Sequence, residues 1–183
     1  LKENIQRNLD IYEDDHILLN FTSNHDENTW AGTVFDRMGE SYLTMSVLTY
    51  VMPGIPLLYN GQEYSLNKRL EFFEKDFIPK ENKKLVEFYT SLGQIKRNNK
   101  ALHFSKDTRF NLKDTNDNDV LIIERSLENQ TILFISNLSD ESKEISHDIN
   151  GDYRNLISGE ITNFNSIEKL NFKSWDYLLL EKL

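Results

Sequence analysis

The stretch from Leu18 to Trp30, LLNFTSNHDENTW, decides the fold that the sequence predicts. The first four residues of this stretch and the preceding isoleucine form a short, mostly apolar run over residues 17–21. Polar and apolar positions do not alternate in this run. Such a run predicts a short strand that is buried on both faces, as in a parallel sheet. Because Asn24, His25 and Asp26 follow after only two further residues, this polar tripeptide is placed just past the carboxyl end of the predicted strand.

A second unit of the same kind follows along the chain. Residues 35–52 carry apolar side chains at helical spacing and end at Pro53-Gly54, which predicts a helix. Residues 55–59 are another short apolar run, and a longer helix is predicted over residues 80–98. Two parallel strands joined by helices cannot cover both faces of a sheet by themselves. The pattern therefore predicts part of a doubly wound sheet or of a (β/α)8 barrel.

The character of the sequence changes near residue 104. Helical spacing stops, and short β-rich runs follow at intervals of roughly 8–12 residues, separated by turn residues. This spacing predicts a C-terminal antiparallel β-sandwich over residues 105–183. Trp175 and Tyr177 are expected to lie in its last strand and to fill its core. The fold class is thus α/β plus all-β.

The composition limits the classes of function. The chain has 183 residues and a net charge of −9, and its basic residues are scattered, so nucleic-acid binding is not expected. It has no cysteine, which excludes disulfides, thiolate nucleophiles and cysteine-ligated metals. No apolar run approaches the roughly 18 residues of a membrane span. No signal peptide is visible and the chain begins with leucine, so we expect an internal piece of a longer protein, of unassigned compartment.

Two motifs carry a resemblance to a known family. The first is FTSNHD, residues 21–26, and the second is MPGIPLLYNGQE, residues 52–63. They resemble the fourth conserved region and the eighth barrel strand of the α-amylase family, glycoside hydrolase family 13. The resemblance implies that residues 1–104 are the C-terminal part of the (β/α)8 TIM barrel, with its last two βα units. It also implies that residues 105–183 are the β-sandwich called domain C.

The resemblance implies roles for the residues of the first motif. Asp26 corresponds to the carboxylate that stabilises the transition state, and His25 corresponds to a histidine that binds the same sugar. Asn24 is expected to position both. An oxocarbenium-like transition state gains from hydrogen bonds to ring hydroxyls, and a charged carboxylate makes the stronger kind. Taken alone, however, the tripeptide favours a turn or a helix N-cap, where asparagine and aspartate are common.

Trp30 is a further candidate substrate-binding residue. Its indole could stack on a sugar ring at a neighbouring subsite, or it could pack between a helix and the sheet, and the sequence leaves both interpretations open. The chain also departs from the family here, because Glu27 to Trp30 stand where many members carry a proline and a basic residue.

The catalytic set implied by the resemblance is incomplete in this chain. A retaining glycosidase needs a nucleophile and an acid/base, two carboxyl groups about 5–5.5 Å apart. The family carries them on its fourth and fifth strands, which this chain does not contain. Glu27 and Glu63 are not expected to replace them. We therefore expect a fragment of an α-amylase-type retaining glycoside hydrolase, acting on α-glucosidic bonds of starch-like polysaccharides or oligosaccharides and inactive by itself.

Two alternatives from other classes stay open. The parent protein could be a non-catalytic amylase-like protein that serves binding or assembly, or residues 105–183 could act as a carbohydrate-binding module. Strands over residues 17–21 and 55–59 would also expose edges and apolar faces that a full barrel covers. We therefore expect the fragment to self-associate, or to be partly disordered over residues 1–60.

No cofactor and no metal ligand set is expected. The acidic stretch from Asp114 to Asp119 has the composition of a calcium loop, but Asp119 and Arg125 stand where such a loop needs glycine and glutamate. A solvated hairpin turn is predicted there instead. His16, His103 and His147 show no ligand spacing and are interpreted as ordinary polar or packing residues.

Overall fold

The computed structural model describes residues 1–12 and 16–183. It contains two compact units, an α/β unit of residues 18–98 and a β unit that combines residues 1–17 with residues 99–183. The predicted assignment of residues 1–104 to a barrel and of residues 105–183 to domain C stays a prediction. None of the helices in the described ranges has the length and apolar character required to cross a membrane.

Among the described residues of the first 98, there are four α-helices and two strands, together with a π-helix (Glu27–Ala31) and two 3₁₀ helices (Gly39–Ser41 and Gln62–Tyr64). The α-helices and strands are α1 (Lys2–Ile11), β1 (Leu19–Phe21), α2 (Val34–Met38), α3 (Tyr42–Val51), β2 (Ile55–Leu57) and α4 (Val86–Asn98). Helix α1 is part of the β unit, and the other elements form the α/β unit. Strands β1 and β2 are parallel, with Leu19 opposite Ile55 and Phe21 opposite Leu57.

A glycine allows these two strands to approach each other at their amino ends. The backbone N–H of Ile55 donates to the carbonyl oxygen of Leu18 at 2.9 Å. Gly54, directly before β2, has φ +106°, and a Cβ atom on it would lie 2.1 Å from the same carbonyl oxygen. Since no side chain can occupy that space, the strand pair depends on glycine at this position.

In this chain neither strand is buried on both faces, which departs from the prediction for a complete sheet and agrees with the apolar faces expected to be exposed in a fragment. Leu19 and Ile55 are each more than half exposed, and Phe21 is exposed as well. The strands pair with each other and contact α3. Within residues 18–98, no further strand covers the outer side chains. A two-stranded sheet has too few neighbours to bury both of its faces.

Two helix boundaries differ from the sequence prediction. The helix predicted over residues 35–52 is interrupted, because α2 ends at Met38, is capped by Gly39 with φ +52°, and is joined to α3 by a short 3₁₀ turn. The helix predicted from residue 80 begins only at Val86. Packing of an apolar face supplies most of the stability of short helices. Because residues 80–84 are polar and exposed, a helical turn there would bury no apolar surface.

Helix α4 packs on α3 through a buried tyrosine. Leu85, Tyr89, Leu92 and Ile95 of the predicted apolar stripe are buried, and Phe88 is half-buried. The hydroxyl of Tyr89 lies 3.0 Å from the hydroxyl of Ser46 on α3. Burial raises the pKa of Tyr89 from 10.0 to about 12.

The raised pKa of Tyr89 predicts a loss of stability in alkali. Below pH 10 the phenol is neutral in both the folded and the unfolded chain, so its contribution is complete; between pH 10 and about 12 only the unfolded chain ionises. Tyr89 should then lower the free energy of unfolding by about 2–3 kcal/mol across this range. Urea unfolding at pH 9 and pH 12 checks this, because Tyr89→Phe should remove that part of the pH dependence. An equal slope in the two proteins would contradict the prediction.

The β unit contains an antiparallel sheet of six strands and a second sheet of two. The strands are β3 (Arg109–Leu112), β4 (Val120–Leu127), β5 (Gln130–Asn137), β6 (Lys143–Ile145), β7 (Gly151–Asn155), β8 (Ile161–Phe164), β9 (Leu170–Phe172) and β10 (Tyr177–Lys182). The six-stranded order is β3-β4-β5-β10-β7-β8, and β6 pairs with β9. Ile122 of the large sheet shares one core with Ile145 and Phe172 of the small one. This arrangement is consistent with the predicted β-sandwich.

The aromatic residues near the last strand differ from the prediction. Trp175 does not lie in β10 but two residues before it, with φ +54°. Tyr177 begins β10, and its ring centroid lies 6.2 Å from that of Phe134. Both side chains are half-buried, so they flank the core rather than fill it. The reason is that residues 174 and 175 form a turn immediately before β10, so Trp175 is not part of the strand.

A lysine neutralises the acidic loop between β3 and β4. The ammonium of Lys143 lies 2.8 Å from a carboxylate oxygen of Asp117 and 2.7 Å from one of Asp119. This contact holds the pKa of the Asp117 carboxyl below its usual value. Lys2 of α1 also donates to the carbonyl oxygen of Asp117, at 2.7 Å. The stretch is thus a hairpin turn whose acidic side chains Asp117 and Asp119 are paired with the ammonium group of Lys143.

Candidate active site

The carboxyl ends of β1 and β2 are joined by a buried glutamine. Gln62 donates through Nε2 to the hydroxyl of Thr22 at 2.8 Å and accepts through Oε1 from the backbone N–H of Tyr59 at 2.8 Å. Thr22 follows β1, and Tyr59 follows β2. Both hydrogen bonds are formed by a side chain that is almost fully buried, so they fix the two strand ends against each other.

Asn24 caps the helical turn that follows β1. Its Oδ1 accepts from the backbone N–H of Glu27 at 2.8 Å, and its carbonyl oxygen accepts from the N–H of Asn28 at 2.9 Å. The turn widens into a π-helix over Glu27–Ala31, closed by a hydrogen bond from the N–H of Gly32 to the carbonyl oxygen of Glu27. The N-cap role that the tripeptide alone favours is therefore observed for Asn24. Single π-helical turns of this kind are frequent at functional sites.

His25 and Asp26 are adjacent and open to solvent. Their side chains are 66% and 60% exposed, and Nε2 of His25 lies 3.4 Å from a carboxylate oxygen of Asp26. Both belong to the first turn after β1, whose position is fixed by the cap and by the glutamine bridge. The arrangement presents one carboxylate and one imidazole side by side at a strand end, where they can hydrogen-bond neighbouring hydroxyls of one ligand.

The other acids near the two strand ends are engaged in structural contacts. Glu27 forms an ion pair with Arg37, with 2.8 Å between guanidinium nitrogen and carboxylate oxygen. Arg37 also donates to the carbonyl oxygen of Thr22 at 3.0 Å. Glu63 accepts from the backbone N–H of Gly61 at 3.0 Å. These contacts give the carboxylates of Glu27 and Glu63 a structural role.

Trp30 lies on the surface beside the same turn. Its side chain is 62% exposed, and its ring centroid lies 5.4 Å from that of Phe72. The indole therefore does not fill the space between a helix and the sheet, which was one of its two interpretations. Phe72 also contacts the imidazole of His25, at 5.6 Å between ring centroids, so the three rings are neighbours.

Sequence reasoning did not assign several residues that shape this site. Gln62 and Arg37 hold the strand end, and Phe72 joins His25 to Trp30. The paired phenylalanines at residues 72 and 73, in a loop whose side chains are mostly polar, were a usable signal, because adjacent exposed aromatics often mark a binding surface. Nothing in the local pattern distinguishes Gln62 or Arg37 from ordinary surface residues.

A metal-binding constellation is not observed where the structure is described. Among residues 1–12 and 16–183, no group of three or more histidine, cysteine, aspartate or glutamate side chains is placed to hold a metal ion.

Comparison with known proteins tests the family resemblance. The chain is 28% identical over 156 residues to α-amylase 2 of Dictyoglomus thermophilum, a match that covers 78% of this chain and 26% of that protein. It is 24% identical over 143 residues to the α-amylase MalA of Haloarcula japonica, covering 76% of this chain and 21% of that protein. The resemblance to the α-amylase family is confirmed. It lies in the C-terminal part of these relatives.

Solved structures show the same fold for this α-amylase-like chain. An α-amylase from Lactobacillus plantarum matches with a TM-score of 0.79 at 18% identity, covering 100% of this chain and 42% of that one. A maltogenic α-amylase, AmyB, from Thermotoga neapolitana matches with a TM-score of 0.80 at 19% identity, covering 99% and 45%. No family model matches the chain. The chain spans about a quarter of the length of the curated relatives it matches.

Proposed function

We propose that this chain is the C-terminal part of an α-amylase-type retaining glycoside hydrolase that cleaves α-glucosidic bonds of starch-like polysaccharides or oligosaccharides. The observation that carries the proposal is the position of His25 and Asp26. They lie side by side and exposed at the carboxyl end of β1, next to a second parallel strand. The similarity to α-amylases over most of the chain supports the same assignment.

The strand pair is proposed to be part of a (β/α)8 barrel. In barrel enzymes the active site is built from the loops at the carboxyl ends of the strands, which is where the polar tripeptide lies. Parallel pairing of β1 with β2, and the helices between them, support two consecutive βα units. In this proposal residues 1–104 complete the barrel and residues 105–183 form domain C.

Asp26 is proposed to stabilise the transition state of glycoside cleavage. As the ring develops oxocarbenium character, hydrogen bonds from the ring hydroxyls to a charged carboxylate strengthen, so they lower the barrier rather than only tighten binding. His25 is proposed to bind a hydroxyl of the same sugar from the adjacent position. Asn24 is proposed to orient both residues through its cap, because the cap sets where the turn begins.

The nucleophile and the acid/base are proposed to come from parts of the enzyme outside this chain. The structural engagement of Glu27 and Glu63 supports this, because an ion-paired or loop-bound carboxylate is poorly placed to attack a sugar. We expect the purified 183-residue chain to release no reducing ends from starch or maltoheptaose, whereas the full-length protein should do so. Hydrolysis by the chain alone would refute the division of roles.

The same preparations decide between the proposal and its alternatives. Full-length protein without activity, but with heat of maltoheptaose binding in calorimetry, would point to a non-catalytic binding protein. Binding heat that is retained by the isolated chain and unchanged in both Asp26→Asn and Phe72→Ala would point to a carbohydrate-binding module in residues 105–183. Turnover by the full-length protein that is lost in Asp26→Asn supports the hydrolase.

Self-association of the isolated chain is expected from its exposed apolar strands. Leu19, Phe21 and Ile55 present apolar side chains on β1 and β2 without cover in residues 18–98. Such surfaces favour association because burial removes apolar area from water. Light scattering should give a mass above the 21.6 kDa of one chain, and Leu19→Lys should lower it. A monomeric mass at all concentrations would contradict this prediction.

A further inference from the structure

An exposed aromatic cluster adjoins the candidate active site. Phe72 lies at its centre, with ring centroids 5.6 Å from His25, 5.4 Å from Trp30 and 4.7 Å from Phe73. Trp30 and Phe73 are 62% and 83% exposed. Large apolar side chains grouped on a surface are unfavourable in water, and such groups mark sites that bind a ligand or partner.

The turn that carries His25 and Trp30 also holds the loop that carries Phe72. Asn28, buried in this turn, donates through Nδ2 to the carbonyl oxygen of Lys68 at 3.1 Å. Its Oδ1 accepts from the backbone N–H of Leu70 at 2.8 Å. The hydroxyl of Thr29 donates to the carbonyl oxygen of Leu70 at 2.8 Å. Three hydrogen bonds from two successive residues thus fix the start of the loop beside the site.

The far side of the loop is closed by Asp76. Its carboxylate accepts from the backbone N–H of Glu71 at 3.1 Å and from that of Phe77 at 2.7 Å. It also forms an ion pair with Lys68. The loop over residues 68–77 is therefore tied across both ends while its phenylalanines face solvent. A surface held in place before binding loses less conformational entropy when a ligand arrives.

We propose that Trp30 and Phe72 form a platform that stacks a glucosyl unit next to the one bound by His25 and Asp26. The faces of a pyranose ring carry C–H groups that pack on flat aromatic rings, while its hydroxyls at the rim suit polar neighbours such as Glu71. Continuity with His25 through Phe72 identifies the occupant as the same α-glucan chain. This inference rests on the proposed function. It assigns to Phe72 a role in the preference for long over short substrates, and to Asn28 the role of a positioning residue that holds the loop of Phe72.

Kinetics of the full-length protein test the platform. The measured quantity is the ratio of kcat/KM for maltoheptaose to kcat/KM for p-nitrophenyl maltoside. Phe72→Ala should lower this ratio by about 3- to 10-fold, the size expected for loss of one aromatic contact. Asn28→Ala should lower it in the same direction through a higher KM for maltoheptaose. Phe77→Ala is the matched control, because Phe77 is an exposed phenylalanine of the same loop outside the ring cluster.

An equal ratio in wild type and Phe72→Ala would overturn the platform and leave the proposed hydrolase intact. An equal fall in Phe77→Ala would also overturn it, because the effect would then belong to the loop as a whole. If Phe72→Ala fails to fold by circular dichroism, Phe72→Leu replaces it, since it keeps apolar volume and removes the ring.

Tryptophan fluorescence tests the platform independently of the proposed hydrolase function. The chain has two tryptophans, so in a Trp175→Phe background the emission of this chain comes from Trp30. In the isolated chain, maltoheptaose should change that emission, and Phe72→Ala should weaken the apparent affinity by about 3- to 10-fold. Absence of any change in emission overturns the platform whatever the activity of the parent protein. A full-length protein without hydrolysis, but with this fluorescence response, overturns the proposed function alone.

Discussion

Replacing Asp26 with asparagine in the full-length protein should lower kcat/KM for α-glucans by about 10²- to 10⁴-fold. The change keeps the size of the side chain and removes its charge, so the loss reports the hydrogen bonds that strengthen as the sugar becomes positive. Such bonds contribute several kcal/mol, and each factor of ten in rate corresponds to about 1.4 kcal/mol. Initial rates of reducing-end release over a range of maltoheptaose concentrations measure the effect. The larger part should appear in kcat.

Glu27→Gln provides the matched control for this prediction. Glu27 is the neighbouring carboxylate, but it is ion-paired to Arg37 and is not proposed to contact the sugar. Loss of a partly exposed ion pair changes stability by about 1 kcal/mol or less, so its kinetic effect should stay within about 5-fold. A near-normal kcat in Asp26→Asn, or similar losses in the two variants, would remove Asp26 from its proposed role.

Gly54→Ala should give the largest loss of stability of any single change considered. An alanine at φ +106° is strained, and its Cβ would lie 2.1 Å from the carbonyl oxygen of Leu18. That oxygen is the acceptor for Ile55, so relieving the clash breaks a hydrogen bond between the strands. We expect the free energy of unfolding of the α/β unit to fall by about 3 kcal/mol or more. Hydrogen exchange over residues 18–23 and 54–60 measures this locally.

Gly151→Ala separates the clash from the backbone strain. Gly151 has the same φ of +106°, but a Cβ atom there meets nothing within 4 Å. It should therefore cost only the strain of the left-handed region, about 1–2 kcal/mol, and should leave exchange over residues 18–23 unchanged. If the two alanine variants lose equal stability, the close approach of Gly54 to Leu18 is not what requires glycine at that position.

The position of the candidate site could be predicted because it depends on local patterns. An apolar run that ends on Asn24, His25 and Asp26 places these residues at a strand end, whatever surrounds the strand. The N-cap of Asn24 follows from the same preferences, since its partner lies only three residues away. The β-sandwich could be anticipated for a similar reason, because turn residues recur between short β-rich runs.

The contacts that hold the site could not be predicted from such patterns. Asn28 and Leu70 are 42 positions apart, and Gln62 and Thr22 are 40 apart. A buried amide that joins two loops looks, in the sequence, like any polar residue of a turn.

The sequence by itself determined that a part with helical spacing precedes a part with short β-rich runs, which strand carries the polar tripeptide, and which family the chain resembles. These properties follow from the types of neighbouring residues and from the order of two motifs. Only the tertiary structure decided which side chains serve the fold and which remain open to a ligand. Gln62, Arg37 and Asn28 form hydrogen bonds within the fold. His25, Asp26 and Trp30 are exposed. The physical reason is that hydrogen-bond satisfaction and exposure depend on neighbours that are distant in sequence.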